Sequence, residues 1–118
     1  MQETTIFSLF SSRTNSPFGN TMGSLVLTNA RLKFTAKGSR HQFHVPLNEI
    51  ADVGIEKANP LYLLSGGLVA RMKITLTNGQ THIFTAKPLQ MRIHELNTAR
   101  EAWTPEIQLD DEAWKAAA

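Results

Sequence analysis

The chain has 118 residues, 42% apolar and 19% charged, with no cysteine and a net charge of +2. That length suits one domain with a real core and is too short for two ordinary ones. The composition is globular, and the lack of cysteine excludes disulfides, thiolate-bound zinc and thiol nucleophiles.

Residues 1–10 carry Glu3 where a secretory signal would carry positive charge, and Ser8 interrupts their apolar run. No secretory signal is expected. No run of about 18 apolar residues occurs, so no transmembrane helix is expected either. Residues 4–13 read as a first strand, rich in β-branched and aromatic side chains. Asn15-Ser-Pro-Phe-Gly-Asn20 is turn chemistry. Strands follow at 23–28 and 31–37, joined by Thr28-Asn29-Ala30; Leu25 and Leu27, then Leu32 and Phe34, point inward. Gly38 offers a second hairpin turn, and the strand over 40–45 ends at Pro46, which lacks a ladder donor.

A fifth strand is expected at 50–57, with Ala51, Val53 and Ile55 on one face. Asn59-Pro60 breaks it, the apolar run 61–64 follows, and Ser65-Gly66-Gly67 makes a joint. Over 68–77 the alternation places Met72, Ile74 and Leu76 on one face and Arg71, Lys73, Thr75 and Thr77 on the other. Asn78-Gly79 is a strong hairpin signal leading into a strand at 80–85. Pro88 suits a first helical position, and Leu89, Ile93, Leu96, Ala99 and Trp103 form a stripe at helical spacing. Thr104-Pro105 ends that helix, and Asp110 can cap a short final one carrying Trp114. The organisation expected is one body over 4–104 and an acidic tail over 105–118. The fold expected is mainly β: a bent seven-stranded sheet with one C-terminal helix plugging its open corner.

Gly23-Ser-Leu-Val-Leu-Thr-Asn-Ala-Arg-Leu-Lys-Phe34 resembles the signature of GRAM domains and related bacterial pleckstrin-homology-like domains. Val45-Pro46-Leu47-Asn48-Glu49-Ile50 with Val53, and Leu76-Thr77-Asn78-Gly79 with Phe84, resemble two further steps of that family. Trp103 stands where the family often ends its helix. The resemblance covers about residues 5–103. It implies a pleckstrin-homology-like bent sandwich or partial barrel capped by an amphipathic helix. It also implies a binding role: anionic lipids in some members, proteins in others, self-assembly in several bacterial ones. Gly23, Thr28, Asn29, Arg31, Phe34, Pro46 and Ile50 would build the framework.

The charge is uneven. Residues 1–100 hold eleven Lys and Arg against five Asp and Glu, a balance of +6; residues 101–118 hold one against five, a balance of −4. A basic body with an acidic tail fits an anionic partner, a tail folded back on the body, or plain solvation. Arg31, Lys33, Lys37 and Arg40 gather at one hairpin, and Arg71 and Lys73 lie on an outward strand face. These six are candidate contacts for an anionic head group, or ordinary solvated charges. Leu61, Tyr62, Leu63 and Leu64 are either core or a partner-contact loop, and Trp114 either staples the tail or meets another protein. His41, His44, His82 and His94 lack zinc-site spacing, and no nucleophile elbow, phosphate loop or HExxH occurs. The sequence therefore reads as a non-catalytic module without metal or cofactor, cytoplasmic or peripheral at a membrane. Its expected role is protein interaction or self-association, with anionic-lipid binding as the alternative. Nucleic acid is not expected, because the basic hairpin lacks interleaved aromatics.

Overall fold

The computed structural model describes residues 1–16, 19–36, 42–59 and 69–111. Lys37, Arg40, His41, residues 61–64 and Trp114 lie outside the described residues. Among the described residues seven strands precede one helix: β1 (Thr5–Ser16), β2 (Gly19–Thr28), β3 (Arg31–Ala36), β4 (Phe43–Pro46), β5 (Ile50–Glu56), β6 (Arg71–Leu76), β7 (Thr81–Phe84) and α1 (Leu89–Ala102). A 3-10 turn, Leu47–Glu49, links β4 to β5. Every pairing is antiparallel, in the order β4-β3-β2-β1-β7-β6-β5. The sheet does not close, so β4 and β5 are its two edges.

The bend falls between β1 and β7. Their ladder is a single pair, Arg13 with Phe84. Hydroxyls complete the seam: Ser11 Oγ donates to the Thr85 carbonyl at 2.7 Å, and Thr85 Oγ1 accepts from the Ser12 amide at 2.8 Å. Ser11 and Ser12 are buried, and these bonds satisfy polar groups that burial would otherwise penalise.

The alternation of β2 and β3 works as expected. Leu25, Leu27, Leu32 and Phe34 are fully buried, and Phe34 meets Phe84 across the core at 5.4 Å between ring centroids. Gly23 is obligatory here: a Cβ would stand 2.3 Å from the Thr35 carbonyl oxygen. Pro46 ends β4 on an edge strand, where its missing donor costs nothing. Leu96 and Ala99 of α1 are buried against the core, with Leu89, Ile93 and Trp103 packed beside them. The helix begins one residue later than expected, with Pro88 as its N-cap.

Two expectations are corrected. The turn at 15–20 is shorter, because β1 and β2 stay paired out to Ser16 and Gly19. The fifth strand does not alternate simply. A register shift leaves Ala51 as an extra residue between the pairs Ile50–Leu76 and Asp52–Thr75. Ile50 and Val53 therefore both face the core, whereas Ala51 is exposed and Ile55 is 44% exposed. The reversal expected at Asn78-Gly79 does join β6 to β7, with Gly79 at positive φ (+90°). Asn78 Oδ1 accepts from the Gln80 amide at 2.9 Å and stiffens that loop.

Candidate functional site

The β2–β3 turn is built around its polar residues. Thr28 Oγ1 accepts from the amides of Ala30 and Arg31, at 3.1 Å each, and donates to Glu3 Oε2 at 2.6 Å. Asn29 Oδ1 accepts from the Thr4 amide at 2.9 Å, and its Nδ2 donates to the Gln2 carbonyl at 3.1 Å. Arg31 grips Glu3 bidentately, Nε to Oε2 and Nη2 to Oε1, both at 2.9 Å. The Leu-Thr-Asn-x-Arg stretch is thus a clamp on the N-terminal segment. Glu3 is fully desolvated at its side chain. Burial pushes its carboxyl up, but hydrogen bonds from Arg31, Thr28 and the Asp110 amide, with the Arg31 charge, hold it below its usual 4.5.

The C-terminal segment joins the same cluster. Gln108 makes a parallel bridge with Gln2: its amide donates to the Met1 carbonyl and its carbonyl accepts from Glu3, both at 2.8 Å. Ile107 is buried, the Asp110 amide donates to Glu3 Oε1 at 2.8 Å, and Asp111 accepts from Arg31 Nη2 at 3.2 Å. Residues 105–111 contain no helix; they fold back onto the body.

This placement corrects the expected basic face. Arg31 lies on the face of β3 opposite Leu32 and Phe34, yet it is only 8% exposed because Glu3 pairs with it there. Arg71 is 1% exposed, and its Nη1 donates to Thr14 Oγ1 at 2.7 Å across the sheet's bend. Lys33 is half-buried, opposite His44 on β4, and Lys73 lies 4.0 Å from Glu56. Three strands stand between those two lysines, about 19 Å along the sheet.

Sequence reading passed over a second cluster. Arg13 enters the bend from β1, 5.6 Å from the Phe43 ring centroid and 6.0 Å from that of Phe84. It donates to the Gln42 carbonyl at 3.2 Å, and its Nη2 lies 2.9 Å from His82 Nδ1. A guanidinium only donates, so Nδ1 accepts and Nε2 carries the ring hydrogen. Burial, then the Arg13 charge, pushes His82 below its usual 6.5. His44 is lowered too, by burial and then by Arg31 and Lys33.

The surface also holds an apolar patch. Phe10 is 73% exposed, Met22 52% and Val69 43%. Phe10 pairs with Ser24 and Met22 with Ser12, so the two are diagonal neighbours on β1 and β2. All three line one groove of about 350 Å³ with Leu9, Ala86 and Lys87. A signal for Phe10 was present: Ile6 and Phe10 oppose Phe7 and Leu9, giving β1 two apolar faces. Among the described residues no three His, Asp or Glu gather as a metal site requires. No helix of the described residues is long and apolar enough to cross a membrane.

No protein-family model matches the chain, and no curated protein matches it significantly. Solved structures do. One is the C-terminal domain of an unknown protein from Leishmania infantum: TM-score 0.60, 18% identity, covering 84% of this chain and 85% of that one. Another is the N-terminally truncated linker-DH/PH domains of p115-RhoGEF: TM-score 0.60, 6% identity, covering 86% of this chain and 30% of that one. At such identities the likeness concerns fold alone. With its seven-stranded antiparallel sheet and single C-terminal helix, the chain has a pleckstrin-homology-like fold.

Proposed function

We propose that this chain is a non-catalytic protein-binding module whose contact surface is the patch of Phe10, Met22 and Val69. The observation that carries the reading is the exposure of these three side chains around one groove. Clustered apolar exposure of this kind marks interaction surfaces, and aromatic and Met side chains are enriched there. Leu61, Tyr62, Leu63, Leu64 and Trp114 belong to the same reading as further partner contacts. So does kinship with GRAM domains, supported by the role of Thr28, Asn29 and Arg31 in one turn. A cytoplasmic location, with peripheral attachment at a membrane as its alternative, goes with it.

A protein is favoured over an anionic lipid by the interior positions of Arg31 and Arg71 and by the separation of Lys33 from Lys73. The test is affinity capture with the full chain and its Phe10→Asp variant, beside sedimentation with vesicles of neutral or anionic lipid. The reading expects proteins retained by the unmodified chain and lost on Phe10→Asp, with no salt-sensitive vesicle binding. Capture that ignores Phe10→Asp, together with pelleting on anionic vesicles that added salt abolishes, would replace it by the lipid reading.

A further inference from the structure

His82 stands where the two halves of the open sheet meet, β4-β3-β2-β1 on one side and β7-β6-β5 on the other. Main-chain pairing across that corner is thin, since β1 and β7 share only the Arg13–Phe84 pair. β4 reaches β7 through rings: Phe43 lies 4.5 Å from His82 and 5.4 Å from Phe84, between centroids. Arg13 ties the two sides together, donating to the Gln42 carbonyl at 3.2 Å and to His82 Nδ1 at 2.9 Å. The other ring nitrogen, Nε2, is buried and has no hydrogen-bond partner.

The neutral ring meets one need here: its Nδ1 lone pair accepts from a guanidinium. Protonation takes that lone pair, sets a second cation against Arg13, and leaves both ring N–H groups without an acceptor. Among the described residues nothing offsets this. β6 places Ile74 opposite His82, with Lys73 and Thr75 on its other face. β4 offers the uncharged Phe43, and His44 beside it turns outward to Lys33 and Arg31. Burial and then the Arg13 charge disfavour the imidazolium, and no acid counters them.

We propose that this cluster is an acid-operated catch: protonated His82 releases Arg13 and swings out of the corner, parting β4 from β7 while the rest of the core stays packed. The parting is local. Arg13 keeps the Gln42 carbonyl and Phe43 on its own side, whereas His82 leaves on β7. Phe84 stays against Phe34 at 5.4 Å, and the bonds of Ser11 and Ser12 to Thr85 involve no titratable group. What opens is the ring of Phe43, 7% exposed when the catch is closed. A histidine poised between two packed halves is a two-state element that proton concentration biases. It lies on the face of β1 opposite Phe10 and stands without that patch.

Solution NMR of the full chain between pH 8 and pH 5 tests the catch. At pH 8 the His82 ring should be the Nε2–H tautomer, with nuclear Overhauser contacts from Phe43 to His82 and to Phe84. As His82 titrates, both Phe43 contacts should be lost with the same midpoint, while the Phe34–Phe84 contact persists. His82→Asn offers Oδ1 in place of Nδ1 and does not titrate, so its Phe43–Phe84 contact should survive at pH 5. His44→Asn should leave the transition in place. A Phe43–Phe84 contact still present at pH 5 in the unmodified chain overturns the proposal. So does its loss at pH 5 in His82→Asn, or its survival there in His44→Asn. Loss of the Phe34–Phe84 contact at the same midpoint also overturns it, because that is unfolding and not a local opening.

Discussion

Arg31→Met isolates the cluster that joins both chain ends to the sheet. The substitution keeps an apolar stem of similar length and removes two 2.9 Å bonds to a carboxylate whose side chain is 0% exposed. Breaking one side of a buried ion pair costs about 3–5 kcal/mol, because the remaining charge stays desolvated. The Thr28 hydroxyl and the Asp110 amide still serve Glu3, which places the loss at the lower end, about 3 kcal/mol. For a chain of this size that is a drop in Tm of roughly 12 °C. Urea denaturation of the unmodified chain, Glu3→Gln, Arg31→Met and the double variant gives the coupling directly. The double variant should be much less destabilised than the sum of the singles. A loss below about 1 kcal/mol for Arg31→Met, the range of an exposed pair, would refute the reasoning.

Other outcomes follow from the same geometry. Gly23→Ala should destabilise by at least about 2 kcal/mol, since the new methyl meets the Thr35 carbonyl and neither backbone can retreat; an unchanged denaturation midpoint would contradict this. Stability should also depend on pH. His82 has a folded pKa below its usual 6.5, so the folded state binds fewer protons than the unfolded one near that pH. The stabilisation is complete above 6.5 and is lost as pH falls from there through the folded value. Glu3, likewise depressed, adds a second loss as pH falls below 4.5. Urea midpoints between pH 8 and 5 should fall, and His82→Asn should flatten that slope; an equal slope in the variant rules His82 out as its source.

The sheet was legible because period-two alternation and turn residues act locally. Leu25, Leu27, Leu32 and Phe34 announce a buried face, and Asn78-Gly79 announces a reversal, within a few residues of chain. The helix was legible for the same reason, from the spacing of Leu89, Ile93, Leu96 and Ala99. The bulge at Ala51 was not legible, since alternation read across it groups the exposed Ala51 with the buried Val53. Charge was the least legible property. Arg31 and Arg71 look outward by alternation, but their burial is decided by Glu3 and Thr14, 28 and 57 residues away. No local pattern encodes a partner at that separation. Phe10 was visible as a second apolar face of β1, but its 73% exposure depends on which distant segments pack there, and no local pattern encodes that.

The account rests on the claim that the Phe10 patch contacts another protein. Quantitative capture with the unmodified chain and with Phe10→Asp, each first shown to melt at the same temperature, measures it most directly. The account predicts at least one protein enriched on the unmodified chain and lost on the variant. Identical capture profiles for the unmodified chain and Phe10→Asp would contradict it.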